Sequence, residues 1–346
     1  MPHPLTSVVR ITIVLLLTAI LFWLIFNAEL VVYGVRQLRG QLELVWNAVP
    51  VEEYITANPD STDNIRKLQY LQTVRAYAMD SLGLHSSDNY TTFYDHGRKP
   101  LMWVVTASKP FSMEAHEWTF PFLGSLSYKG FFREELALEE AAQVRKEGYE
   151  TDIYNPSAWS TLGWMNDPIL SGMLHKGPGQ LAELIIHELT HATVFLPGQV
   201  EYNENLATFI GEQGALLFLS SHFGTNSPEK IRYENFLHDQ IIYAKHLLKG
   251  AESLDSLYKT FTSDELISSR AEKKYRLISS IFLNINYLPL KEPKRYLFDF
   301  RQEQLPGNTT FMAYRRYRKD QAELYKLLNE EYEGDLRKMI AGLSEK

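Results

Sequence analysis

The chain has 346 residues, 45% of them apolar, 13% aromatic and 22% charged, with a net charge of −7 and no cysteine. That aromatic content excludes a disordered chain, and 42 acids against 35 bases exclude attraction of nucleic acid by overall charge. Without cysteine there are no disulfides, thiolate sites or cysteine nucleophile, so any metal centre has to use histidine and carboxylate.

Ile11 to Ala28 form a run of 18 uncharged residues between Arg10 and Glu29. As a helix it would be about 27 Å long, enough to cross a bilayer. A cleaved signal peptide would end in a small-x-small site, but Phe26 fills the −3 position before Ala28, which favours a retained anchor. Basic residues flank the run on both sides (Arg10; Arg36 and Arg39), so orientation stays open. The chain thus divides into a tail (1–10), a single-pass anchor (11–32) and one domain (33–346), with the lipid bilayer as a partner of the anchor.

Beyond the anchor, Leu30 to Val49 continues as a helix until Pro50 stops it. Ile65 to Leu82 reads as an amphipathic helix with Leu68, Leu71, Val74, Ala78 and Leu82 inward and Gly83 as its C-cap. Leu101 to Ala107 and Thr119 to Tyr128 are the strand candidates, Glu134 to Glu147 is helical, and Asp167-Pro168 opens the next helix. Later helical patterns run over Asp239 to Leu248, Asp264 to Leu283 with Ser263 as N-cap, and Asp320 to Ile340. The basic group Arg315, Arg316, Arg318 and Lys319 reads as a solvated helix face rather than a lipid contact. The expected class is α+β, predominantly helical, with a small sheet upstream of the central helices.

The segment Leu181 to Leu219 carries the chemistry. His187 and His191 lie four apart on a strongly apolar helix, so both imidazoles leave the same face. Two nitrogens at that spacing suit one zinc ion, and Glu188 beside the first can reach a water on it. Pro197 stands where a third histidine would follow in one branch of such enzymes, which removes that branch. Leu196-Pro197-Gly198 breaks the helix and a second begins near Asn203, stacking Glu204, Thr208 and Glu212 on one face. Glu204 is the expected third ligand, with Glu212 as the rival or as an acid orienting a ligand histidine. Ser160 to Trp164 precedes the zinc helix, and Thr161, Leu162 and Gly163 are candidates for an edge strand that pairs with a substrate backbone.

The chain resembles the bacterial putative zinc aminopeptidase family, which is membrane- or lipoprotein-anchored and shares an HExxH…NE, gluzincin-type signature. The resemblance runs from YGVRQLRGQLEL at Tyr33 to Leu44, through SLSYKGFF at Ser125 to Phe132 and AWSTLGWMNDPIL at Ala158 to Leu170, into HELTHATVFLPGQVEYNENLATFIGEQGA, and more faintly GNTTFMAYRRY at Gly307 to Tyr317. It implies a zincin-like fold with one Zn2+ per chain held by His187, His191 and Glu204, Glu188 as general base, and Tyr317 as a candidate oxyanion donor. It also implies a peptidase of the cell membrane with its catalytic domain on the periplasmic side. Relatives carry cysteines near the strand where this chain has Thr119 and Ser125, and a lipid-bearing cysteine where it has an apolar anchor.

The expected function is therefore a membrane-anchored zinc peptidase acting on peptide substrates, with no nucleic-acid partner. The alternative is a non-catalytic anchored scaffold with a structural zinc, against which the presence of Glu188 argues. Aminopeptidase and endopeptidase action stay open, the former needing an acid such as Glu201 or Glu212 for the substrate ammonium.

Overall fold

The computed structural model describes residues 4–97, 99–120, 124–156, 166–196, 198–300 and 305–344. The apolar run lies in α1 (Pro4–Phe26), whose window Val9–Phe26 is long and apolar enough to cross a membrane and has no part buried against the rest of the chain. Asn27 separates it from α2 (Ala28–Asn47), which docks on the domain. The Tyr33 hydroxyl and Gln37 Nε2 both donate to the Gly130 carbonyl, at 3.0 and 2.8 Å. Gly40 is required at this contact, because a Cβ there would meet the Phe132 ring at 2.2 Å.

Pro50 does more than stop a helix: it ends β1 (Val49–Pro50), which leads into α3 (Val51–Ala57). Then comes α4 (Thr62–Asp80), with Leu68, Leu71, Val74 and Ala78 buried. Gly83 follows at φ +79°, and the Leu84 amide reaches back to the Ala78 carbonyl, a terminus that favours glycine.

β1 pairs antiparallel with β2 (Thr92–Tyr94). β3 (Trp103–Ser108) lies near the first expected strand. The second expected strand is instead a hairpin of β4 (Trp118–Phe120) and β5 (Gly124–Leu126), because Gly124 at φ +77° reverses the chain. Thr119 and Ser125 face each other across it and share a hydrogen bond of 3.1 Å.

β6 (Tyr128–Phe131) and β7 (Glu150–Tyr154) flank β3 in an antiparallel sheet ordered β6-β3-β7, with α5 (Glu134–Lys146) between them in sequence. α5 covers this sheet with Ala137, Ala141 and Val144. Asp167-Pro168 leads into β8 (Ile169–Leu170), parallel to β2, rather than into a helix. The cause is the Asp167 backbone, whose amide donates to Asn89 Oδ1 and whose carbonyl accepts from Tyr90, at 2.9 and 2.7 Å.

The central pair is α6 (Pro178–Thr193) and α7 (Val200–Phe223), packed with α4 into the largest core. Around them lie α8 (Pro228–Lys259), α9 (Ile267–Asn284), α10 (Asn308–Arg318), α11 (Gln321–Glu331) and α12 (Leu336–Ser344). α8 absorbs the Asp239 to Leu248 pattern into a much longer helix capped by Ser227, whose Oγ accepts from the Lys230 amide at 3.3 Å. Ser263 caps nothing: its neighbourhood is a turn closed by Glu265 N to Thr262 O, and α9 starts later. Asp320 to Ile340 is two helices, because Glu333 and Gly334 at φ 56° and 76° turn the chain.

The description is thus a predominantly helical chain with small sheets and one apolar N-terminal helix.

Candidate active site

α6 begins where Pro178 takes the first helical position after Gly177, a place where its missing N–H costs nothing. Leu181, Ala182, Ile185, Ile186 and Leu189 bury the core side of the helix. The remaining face carries Glu183, His187, Glu188 and His191 towards α7 and the sheet. α6 and α7 come together because Gly211 and Gly214 lack side chains; a Cβ on Gly211 would stand 2.9 Å from the Glu183 carbonyl.

The string Asn203-Glu204-Asn205 opens α7 and each residue has its own task. Asn203 clamps the turn between the helices, with Leu196 N donating to its Oδ1 at 2.9 Å and its Nδ2 donating to Leu196 O at 2.8 Å. α7 therefore starts at Val200, earlier than expected, since the residue preceding Gln199 is Gly198 at φ +78° and the chain reverses at once. Asn205, fully buried, reaches the other way to α10, through Nδ2 to the Arg316 carbonyl at 2.6 Å and through Oδ1 from the Asp320 amide at 3.0 Å. Glu204 is left between them, facing the histidines.

His187 Nε2 and His191 Nε2 are 3.2 Å apart, and Glu204 Oε2 lies 3.4 and 3.6 Å from them. Three corners of a tetrahedral zinc site with legs of about 2.0–2.1 Å are separated by about 3.3–3.4 Å. The donor set therefore fits a metal ion in chemistry and in spacing, and these residues could hold one. The electrostatics agree. Burial alone would raise the Glu204 carboxyl, but the two imidazoles hold it far below the usual range. Burial would lower His187, yet Glu204 and Glu188 raise it, so this pocket favours positive charge. His191 Nδ1 is buried without a hydrogen bond among the described residues.

Glu188 is half-buried beside the triad and hydrogen-bonds to nothing among the described residues. Tyr128 and Tyr317 border the same space. Burial pushes both phenols up, Glu204 adds to the rise, and Arg316 opposes it, so both stay protonated at neutral pH.

Glu212 is not part of the group His187, His191 and Glu204. It is nearly fully buried and forms an ion pair with Arg318 from α10. Burial lifts its carboxyl, with Glu183 contributing, and Arg318 works against the rise. Burial would lower the Arg318 guanidinium, but Glu212 and Glu183 raise it. Glu183 in turn accepts from the Tyr233 hydroxyl at 2.9 Å. The solvated-face reading of α10 is thus corrected: Lys319 is exposed, whereas Arg316 and Arg318 turn inward because carboxylates and aromatic rings await them there. Glu201 is exposed. Thr161, Leu162 and Gly163 lie outside the described residues.

Arg316, Arg318, Tyr128, Asn203 and Asn205 are the neighbours that pattern reading missed. Tyr128, Asn203, Asn205 and Arg316 are signalled by their presence in the quoted segments SLSYKGFF, YNEN and AYRRY, and Arg316 and Arg318 by the basic group that reads as solvated.

No curated protein and no solved structure matches this chain at a significant level. A family model described as "Putative aminopeptidase" matches residues 32–345, beginning within α2 and taking in every element of the site. The chain belongs to that family, whose description suggests peptidase activity.

Proposed function

We propose that the chain is a membrane-anchored, zinc-dependent peptidase with one zinc ion bound by His187, His191 and Glu204. The observation that carries this is the convergence of three donor atoms at 3.2 to 3.6 Å next to Glu188. When bound, the zinc would polarise the scissile carbonyl and acidify a water at the fourth position.

Glu188 would take a proton from the attacking water and return it to the departing amine. The phenols of Tyr317 and Tyr128, kept protonated by burial and by Glu204, are hydrogen-bond donors suited to the developing oxyanion. The ion pair with Arg318 engages Glu212, in keeping with Glu204 as the third ligand.

α1 is the anchor, and the domain from residue 33 onward works outside the cytoplasmic membrane, on the periplasmic side. The family description favours removal of N-terminal residues.

The test is Glu188→Gln in the full chain. Metal content of about one zinc per chain should persist while peptide hydrolysis falls by roughly 10²-fold or more. Hydrolysis at the wild-type rate would overturn the mechanism. Mass measurement of the membrane-purified chain tests the anchor, since removal of α1 would make it a signal peptide. Matched peptides with free and acetylated N-termini test the aminopeptidase assignment, which equal rates would remove.

A further inference from the structure

Arg316 is a cation of α10 that forms no ion pair among the described residues. Its neighbour Arg318 is taken by Glu212, but among the described residues no carboxylate lies within ion-pair distance of Arg316. Its Nη2 donates to Ser127 Oγ, and its guanidinium sits 5.5 Å from the centroid of the Tyr128 ring.

Its place is set by the site itself. Asn205, the residue after the ligand Glu204, holds the Arg316 carbonyl at 2.6 Å. Tyr128, on which the guanidinium rests, is also within the electrostatic reach of Glu204 and Glu188. Asn205 and Tyr128 thus tie Arg316 to the neighbourhood of Glu204 and Glu188.

We propose that Arg316, supported by Ser127 and Tyr128, is a specificity-determining residue that receives a carboxylate of the substrate beside the metal-binding triad. The word substrate rests on the peptidase reading above. A guanidinium presents five N–H donors in a planar fork. One hydrogen bond to Ser127 orients that fork and leaves donors for a carboxylate.

Charge balance points the same way. A divalent cation held by the triad would offset Glu204 and Glu188, which would leave the positive charge of Arg316 for an incoming anion to neutralise. The nearby acids that could instead favour a substrate ammonium are engaged, Glu183 by Tyr233 and Glu212 by Arg318. The carboxylate can come from the C-terminus of a short peptide or from an aspartate or glutamate side chain.

The experiment uses the full chain in detergent micelles, loaded with zinc, and three probes: Leu-Ala-Ala with a free C-terminus, its C-terminal amide, and Leu-Ala-Asp amide. Affinity is measured by calorimetry in the Glu188→Gln background, and kcat/KM in the chain with Glu188 intact. At least one carboxylate-bearing probe should bind roughly 10–100-fold more tightly than Leu-Ala-Ala amide, in line with a charged hydrogen bond, and the favoured arm names the source of the carboxylate.

Arg316→Gln should bring that ratio close to one with zinc content unchanged, and Arg316→Lys should retain part of it. If Arg316→Gln loses zinc or helical content, the lysine variant decides, and a ratio undiminished by losing the fork overturns the proposal. Equal affinity for all three probes, or a preference that survives in a folded Arg316→Gln, overturns it too. Carboxylate-dependent binding in a chain that cleaves no peptide would overturn the peptidase reading and leave the subsite standing.

Discussion

Asn205 joins the ligand-bearing helix to Arg316: its Nδ2 donates to the Arg316 carbonyl at 2.6 Å while its Oδ1 accepts from the Asp320 amide at 3.0 Å. Gln321 Nε2 adds a bond of 2.9 Å to the Asn205 carbonyl, so one fully buried side chain and its backbone organise the whole end of α10. Replacing Asn205 by alanine leaves a part-buried carbonyl and amide without these partners. The expected loss is roughly 2–3 kcal/mol in urea unfolding. Zinc content should not change, because Asn205 touches none of the ligand atoms. A loss under about 0.5 kcal/mol, the level of an ordinary surface substitution, would show that α10 is held by other contacts.

The buried pair of Glu212 and Arg318 should behave asymmetrically. Removing one partner, as in Arg318→Met or Glu212→Gln, strands a charge or its donor in a dry place and should cost about 3–5 kcal/mol. The double variant Arg318→Met with Glu212→Met should recover most of that loss. A double-mutant cycle on unfolding free energies measures the difference, and simple additivity would mean that the two groups do not depend on each other.

Metal should contribute directly to stability. Chelation of the wild-type chain should lower its melting temperature by several degrees, and added zinc should restore it, since an ion that binds only the folded state stabilises it by mass action. His191→Ala should bring zinc content from about one per chain to near zero and abolish the thermal response. A wild-type melting curve indifferent to chelator and zinc would contradict the site.

Asp239 provides a pH test away from the metal site. Its carboxylate accepts from the Lys291 and Glu292 amides at 2.6 and 2.7 Å, pinning the segment after α9 to α8. Burial would raise this carboxyl, but those amides and His238 bring it below its ordinary value. A carboxyl depressed in the folded state contributes stability that is present above its unfolded pKa of about 3.9 and is lost as pH falls through the folded value. Stability of the wild-type chain should therefore fall more steeply below about pH 4 than that of Asp239→Asn, which should also be less stable at neutral pH by roughly 1–3 kcal/mol. Parallel curves in denaturant titrations across pH 2 to about 6 would remove the assignment.

What could be read in advance was what depends on neighbours along the chain. His187 and His191 share a face because they are one turn apart, and Gly83 ends a helix because its backbone can turn left-handed. Glu204 could be reached by the same logic, a helix break followed by a second helix. Asn205 and Arg316 could not, because their hydrogen bond spans 111 residues and neither side chain belongs to a periodic pattern. Arg318 looked solvated for the same reason: the carboxylate that buries it is 106 residues upstream. Glu333 shows the reverse limit, a non-glycine residue at φ 56° that divides one continuous apolar pattern into two helices.

Gly211 marks a close approach of α7 to α6. Its missing side chain sits about two helical turns, roughly 11 Å, along α7 from Glu204, at the point where α7 presses on the backbone of α6. There α7 packs directly on His187: a Cβ at Gly211 would also stand 3.2 Å from the His187 Cβ and 3.4 Å from its backbone nitrogen. Metal sites tolerate only about 0.2 Å of error in their bond lengths. A side chain at Gly211 would push α7 off α6 at His187 itself, so the spacing of the three donor atoms depends on an atom the sequence leaves out.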